Sequence, residues 1–212
     1  MRDLYNEQLE QLDQKLVQMG TMCQESISLA FQCMTDENGV PEDRVATMDD
    51  GIDRIEGDIE SMCLRLLLKQ QPVATDFRKV SSALKMITDL ERIGDQAFVI
   101  AEISGYLRGR LDSEADFLFT MLEHAQKMLS ESIDAFVKAD RELAHQVIES
   151  DQVLDDLLDR VMRMLIDKIA QGNVDGEYAL DVLMVAKCLE RIGDHAANVA
   201  EWVEFSIDGT HE

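Results

Sequence analysis

Apolar residues recur every three or four positions along most of this chain, the spacing that places them on one face of an α-helix. Glycine and proline are scarce, with 11 and 2 residues among 212, whereas a strand-rich chain needs turn residues about every ten positions. The pattern therefore predicts long helices joined by short connections. The predicted helices cover residues 3–34, 42–70, 75–107, 113–138, 141–171 and 177–207.

The second half of the chain repeats the first. The sequence LERIGD at positions 90–95 recurs at 189–194, within segments that match beyond these six residues. A helix of about 30 residues is about 45 Å long, and three such helices in antiparallel order bury their apolar faces only against one another. We therefore expect an all-α fold of two tandem three-helix bundles, formed by residues 1–110 and 111–212.

Both LERIGD copies place a glycine inside a predicted helix. Gly94 and Gly193 lie on the apolar seam of the third helix of each repeat, and an alanine follows each of them three positions later. A glycine within a helix costs about 1 kcal/mol relative to alanine, so its small size needs a compensating contact. We expect these glycines to let a neighbouring helix approach closely.

Each glycine is flanked by two carboxylates four residues apart, which project from one edge of the helix. The second helix of each repeat carries another such pair. We call the resulting sets the first and the second acidic quartet. The first acidic quartet is Asp49, Asp53, Glu91 and Asp95, and the second acidic quartet is Asp151, Asp155, Glu190 and Asp194.

The two pairs of each quartet are symmetric about a predicted turn. In the first quartet the facing residues have a mean position of 72, which is Pro72, and in the second the mean falls between Gly172 and Asn173. Residues equally distant from the turn lie side by side in an antiparallel helical hairpin. The sequence therefore predicts that each quartet gathers at one level of its bundle.

Four carboxylates in one patch need a cation or arginine partners to stay ionised. Arg92 is about 100° from Glu91 on the helical wheel, so we expect it to point away, whereas His195, next to Asp194, is a candidate ligand of the second site. Oxygen ligands suit Mg²⁺, Mn²⁺ and iron. The alternative is a solvated acidic face, since 43 residues are acidic and 20 are basic. Recurrence of the quartet favours metal binding.

Charge and hydropathy exclude several classes of function. A net charge of −23 repels the phosphate backbone of nucleic acids. No apolar run approaches the roughly 20 residues that span a bilayer, so we expect no membrane insertion and a cytoplasmic protein. The four cysteines lie in apolar-periodic segments and are expected in the core. The chain has no glycine-rich phosphate-binding loop and no nucleophile–histidine motif, so we do not expect an enzyme.

The duplicated LERIGD, together with QQPVATDFR at 70–78 and LERIGDHAANVAE at 189–201, resembles the PhoU family of phosphate-signalling proteins. Gln70 and Phe77 depart from the residues usual in the family, which are Arg and Leu. The resemblance implies two tandem three-helix bundles that bind metal clusters through E/D-x-x-x-D motifs. Those motifs match the two acidic quartets here, with iron, zinc, manganese or magnesium as the candidate ions.

The same resemblance implies a negative regulator of phosphate uptake and of the phosphate-starvation response. Such a protein is an adaptor between the ATPase subunit of the phosphate ABC transporter and a sensor histidine kinase, and it is often a homodimer. One alternative is a protein that stores or handles iron or manganese in carboxylate-bound clusters. Another is a relative that serves a different phosphate permease.

Overall fold

The computed structural model describes residues 2–35, 42–69 and 74–209, and the only regular secondary structure in these ranges is α-helix. Every predicted helix end lies within one residue of an observed one. The predicted turn at Pro72 falls outside the described residues. The helices are α1 (Arg2–Thr35), α2 (Glu42–Lys69), α3 (Ala74–Leu107), α4 (Glu114–Lys138), α5 (Arg141–Ser150), α6 (Gln152–Ala170) and α7 (Gly176–Asp208).

The fifth predicted helix is divided into α5 and α6 at Asp151. The backbone there stays helical, with φ −59° and ψ −37°. The Asp151 N–H donates to the Ile148 carbonyl at 3.3 Å, and the Leu154 N–H donates to the Asp151 carbonyl at 2.9 Å. These bonds span three residues instead of four, which tightens the helix locally. The tightened turn therefore coincides with a member of the second acidic quartet.

The helices form the two predicted three-helix bundles. Helices α1, α2 and α3 pack against one another, and α7 packs against α4, α5 and α6. The predicted apolar seam is closed, since Leu90, Ala97, Leu189 and Ala196 are fully buried. The four cysteines are buried in the core, as expected. None of the helices in the described ranges combines the length and apolar character that crossing a bilayer requires.

The two bundles join through their third helices. The contact between α3 and α7 is more extensive than any other between described helices, and α1 also contacts α4. Two arginines donate hydrogen bonds to carbonyls at helix ends, where the last carbonyls lack partners within the helix. Arg108 donates to the Cys33 carbonyl near the end of α1, and Arg78 donates to the Ile207 carbonyl near the end of α7. Arg78 therefore ties the first bundle to the second.

A buried carboxylate connects α4 to α6 at the end of the second bundle where α6 turns into α7. Glu114, at the start of α4, is 0 % exposed and forms an ion pair with Lys168 near the end of α6. Burial opposes ionisation, but the hydrogen bonds from Lys168 and from backbone N–H groups keep the pKa of Glu114 below its usual value. The charged pair therefore fixes α4 against α6 next to the turn that leads into α7.

Replacing Glu114 by glutamine is expected to lower the free energy of unfolding by about 1 kcal/mol, because Lys168 loses the nearer of its two charged partners while the side-chain shape is kept. Urea denaturation followed by circular dichroism measures the change. The matched control is Glu123→Gln at an exposed position of the same helix. Equal stability of the two variants would show that the Glu114–Lys168 pair contributes nothing.

Candidate metal centres

The first acidic quartet gathers where α2 packs against α3. Asp49 is half-buried beside Gly94, and a Cβ at Gly94 would lie 3.2 Å from Asp49 Oδ1 and 3.0 Å from Ile52 Cδ1. The glycine therefore leaves the space in which the aspartate side chain sits. Asp49 Oδ1 is buried and accepts no hydrogen bond from any described residue. The expected close approach of helices at Gly94 is confirmed, and it concerns a carboxylate as well as apolar groups.

The other carboxylates of the first quartet act on Asp49. Burial, followed by the negative charges of Asp53, Asp95 and Glu91, raises the pKa of Asp49 to about 6. Burial and the charge of Asp95 also raise the pKa of Glu91. The structure thus brings all four predicted residues into one electrostatic group.

The second acidic quartet repeats this arrangement between α6 and α7. A Cβ at Gly193 would overlap Leu154 Cδ1 and would lie 3.1 Å from Asp151 Oδ1. Asp151 Oδ1 is again buried without a hydrogen-bond partner among the described residues. Burial, followed by the charges of Asp194, Asp155 and Glu190, raises the pKa of Asp151 to about 6. Both repeats therefore seat an aspartate of the second helix against the LERIGD glycine of the third.

The two quartets differ in how deeply their glutamates are buried. Glu190 is 6 % exposed, and its Oε2 is buried and accepts no hydrogen bond within the described ranges. Its Oε1 forms an ion pair with Lys187. Glu91 is more exposed than Glu190. The second quartet therefore holds two buried oxygens without hydrogen bonds, and the first holds one.

Basic side chains partly neutralise both quartets. Arg92 Nη1 lies 3.0 Å from Asp95 Oδ2, and Arg92 Nε lies 3.4 Å from Glu91 Oε2. The expectation that Arg92 points away from Glu91 was wrong, because the long guanidinium side chain folds back along the helix surface. In the second quartet the neutralising cation is Lys187, one turn before Glu190.

His195 does not take part in the second quartet. Its Nδ1 lies 3.0 Å from Asp89 Oδ1 on α3, and Asn198 Nδ2 donates to the same oxygen at 3.1 Å. The residue after Asp194 projects about 100° further around the helix, so His195 faces α3 rather than α6. The prediction of His195 as a ligand is therefore corrected to a contact between the two bundles.

Two acids that the sequence reasoning missed extend the quartets. Burial, with the charges of Asp53 and Glu60, raises the pKa of Glu56 on α2. Glu201 on α7 is among the charges that raise the pKa of Asp151. Both could have been found from helical spacing, because Glu56 is three residues after Asp53 and Glu201 is seven residues after Asp194.

The donor chemistry of each quartet fits a hard cation, but the side chains are not drawn together around one. Within the described ranges, no three His, Cys, Asp or Glu side chains are arranged to hold an ion. Buried carboxylate oxygens without hydrogen bonds are costly, and a cation would satisfy them. Ion binding would also replace the contacts that Arg92 and Lys187 now make. Metal binding by the eight residues stays a prediction.

Comparison with known proteins gives one consistent result. The family model described as the PhoU domain matches residues 16–104 and again 118–203. The phosphate-specific transport system accessory protein PhoU homolog of Pseudomonas aeruginosa is 31% identical, over 97% of this chain and 86% of that protein. The corresponding protein of Clostridium acetobutylicum is 30% identical, over 98% of this chain and 96% of that protein. Among solved structures, the crystal structure of PhoU from Pseudomonas aeruginosa matches with a TM-score of 0.90 and 32% identity. The match covers 97% of this chain and 100% of the chain in that crystal structure.

Proposed function

The chain belongs to the PhoU family, and on that premise we propose that it is a cytoplasmic accessory protein that restrains phosphate uptake and the phosphate-starvation response when phosphate is plentiful. The relatives named above are accessory proteins of phosphate-specific transport systems. The observation that carries the proposal is the match of both halves of the chain to the PhoU domain, each half containing one glycine-seated acidic quartet.

The proposed mode of action is that of an adaptor rather than an enzyme. Its partners are the ATPase subunit of the phosphate ABC transporter and the sensor histidine kinase of the phosphate two-component system. The protein would act as a homodimer, which presents each binding surface twice. The acidic surface, with a net charge of −23, favours partners that carry basic patches, since opposite potentials accelerate association.

We propose further that each acidic quartet holds iron, zinc, manganese or magnesium. Asp49 and Asp151 would each contribute a buried oxygen, and Glu190 would add a second buried oxygen to the second site. A bound ion supplies the positive charge that lets these carboxylates stay ionised within the helical seam. The ion would then tie the second helix of each bundle to the third. Its role in this proposal is to stabilise the adaptor, with no chemical step at the metal.

Affinity purification separates the adaptor from a metal-storage protein. We expect the tagged full-length chain to recover the transporter ATPase subunit and the histidine kinase from its own cells. Elemental analysis of the same preparation should give a few ions per chain, as two small sites require. Loading with many ions per chain, without either partner, would favour storage and overturn the adaptor proposal.

Replacing both Glu91 and Asp95 by alanine is expected to lower the metal content by about half, because the second quartet remains intact and carboxylate ligands dominate such sites. Elemental analysis of protein purified without chelators measures the change. Replacing Glu190 and Asp194 tests the second site in the same way.

The matched control for these variants is Asp156→Ala, an exposed carboxylate on α6 outside both quartets. It should leave the metal content unchanged. If the control loses as much metal as the quartet variants, the ions are held by the acidic surface in general and the assignment of the eight ligands is wrong.

A further inference from the structure

An apolar groove runs along the outer surface of the second bundle, between α6 and α7 near the turn that joins them. It has a volume of about 160 Å³. One wall is formed by α6 and the other by α7, and the lining includes Met162, Ile166, Ile169, Gly176, Leu180 and Leu183. On each helix the lining residues follow the spacing i, i+3, i+4 and i+7, which places them on one helical face. Each wall is therefore a straight ridge parallel to its helix.

The ridges are exposed to an unusual degree for large apolar residues. Ile166 is 64% exposed and Leu180 is 68% exposed, and Met184, one turn further along α7, is 50% exposed. Single exposed apolar residues are normal on a protein surface. A continuous groove with exposed apolar walls needs an explanation. A patch of this kind marks a surface that another molecule covers.

The equivalent position in the first bundle is occupied by Phe77, whose side chain is 52% exposed. Phe77 precedes the first LERIGD by the same distance as Gly176 precedes the second. At Gly176 there is nothing within 4 Å of where a Cβ would lie, so the end of the groove is open. The second bundle therefore has no side chain at the position where the first bundle carries a phenylalanine.

We propose that this groove binds a basic amphipathic helix of a partner protein. A groove between two parallel ridges accepts the apolar face of one helix, whose anchors repeat at three or four positions. The inference rests on the proposed adaptor role, since it supplies that role with a protein-binding surface.

Charge selects a basic helix rather than a second copy of this chain. At this groove a second copy would bring the same exposed acids, Asp167 and Glu177, to the contact, and like charges oppose association. Two basic residues near the groove already have acidic partners. Arg163 Nη2 lies 3.8 Å from Asp159 Oδ2, and Lys168 forms an ion pair with the buried Glu114. The exposed acids Asp167 and Glu177 follow groove residues in the sequence. A helix with a lysine-rich or arginine-rich outer face meets this surface with opposite charge.

The test uses a fluorescein-labelled peptide of 18 residues made of leucine and lysine in amphipathic order, with a leucine–glutamate peptide of the same order as its counterpart. We expect fluorescence anisotropy to show binding of the leucine–lysine peptide to the full chain, and Gly176→Phe to weaken it about tenfold by filling the groove. Gly105→Phe is the matched control, because a Cβ at Gly105 also meets nothing within 4 Å and the residue lies on α3. It should change the affinity less than twofold.

Methyl NMR locates the peptide without a variant. The ε-methyl signal of Met162 in the groove should shift on titration, while that of Met86, buried in the first bundle, should not. The proposal is overturned if Gly176→Phe binds the peptide as the wild type does, or if the leucine–glutamate peptide binds equally well. It is also overturned if sedimentation shows a dimer that Gly176→Phe dissociates, since the groove then binds a second copy.

The result is separable from the proposed function. If the wild type recovers the transporter ATPase or the kinase from cells but the peptide does not bind in the groove, the adaptor role stands and the groove assignment falls. If the peptide binds in the groove and neither partner is recovered, the groove assignment stands and the adaptor role falls.

Discussion

Replacing Gly193 by leucine is expected to lower the free energy of unfolding by about 3 kcal/mol, because the new side chain enters a closed seam. Even its Cβ would overlap Leu154 Cδ1 and would press on Asp151 Oδ1 at 3.1 Å. Leu154 is fully buried, so it cannot move aside without disturbing the packing around it. The gain in helix propensity on replacing glycine, less than about 1 kcal/mol, does not offset this clash.

Urea denaturation of the purified variants measures the effect. Gly94→Leu should cost less than Gly193→Leu, since a Cβ at Gly94 would lie 3.0 Å from Ile52 Cδ1 rather than overlap its neighbour. Gly105→Leu is the control, because it lies within α3 and a Cβ there meets nothing within 4 Å. It should stabilise the protein slightly. Equal stability of Gly193→Leu and Gly105→Leu would contradict the close approach of α6 and α7 at this level.

Replacing Asp49 and Asp151 together by asparagine is expected to stabilise the metal-free protein at pH 8 by about 2–4 kcal/mol. In the folded state the pKa of each aspartate is raised to about 6, chiefly by burial and then by the neighbouring carboxylates. A pKa difference of one corresponds to about 1.4 kcal/mol, and solvent screening of partly exposed groups reduces the total. The asparagine side chains keep the shape and remove the charge.

The same pKa values set the pH dependence of the wild type. A carboxyl group whose pKa is raised on folding contributes its full stabilisation below the pKa of the unfolded chain, near 4, and loses it as the pH rises through about 6. The free energy of unfolding of the metal-free wild type should therefore fall between pH 5 and pH 8. The double variant should show a flatter profile, because its residues 49 and 151 no longer titrate.

Denaturation in the presence of a chelator, at pH 5 and at pH 8, measures both profiles. Asp156→Asn is the control, because this exposed carboxylate on α6 should leave the slope unchanged. Adding a divalent cation at pH 8 should stabilise the wild type and not the double variant, since the ion replaces the missing positive charge. Parallel pH profiles for the wild type and the double variant would show that folding does not raise the pKa of the two aspartates.

Much of the candidate site could be predicted because it depends on the spacing of apolar and acidic residues along each helix. The apolar spacing gave helix ends within one residue of those observed. Two acids four residues apart necessarily share a helical edge, and a short connection makes neighbouring helices antiparallel. These local rules were enough to bring Asp49 beside Glu91 and Asp95, and Asp151 beside Glu190 and Asp194.

The errors concern long side chains and contacts between the bundles. Arg92 reaches back to Glu91 and Asp95 because several rotatable bonds separate its charge from the backbone, and helical-wheel angles do not include them. His195 pairs with Asp89, which is 106 positions away in the sequence. No local rule links these two residues. Their contact exists only because α3 and α7 lie side by side.

The sequence by itself determined the helices, their duplication and the membership of both acidic quartets, because each depends on spacing along one helix or across one turn. Only the tertiary structure decided that Gly94 and Gly193 seat half-buried aspartates, that Glu190 is enclosed and that α3 packs against α7. It also decided that a groove opens beside Gly176. Those features depend on the distance between helical surfaces and on what fills it, and that distance is set by packing rather than by periodicity.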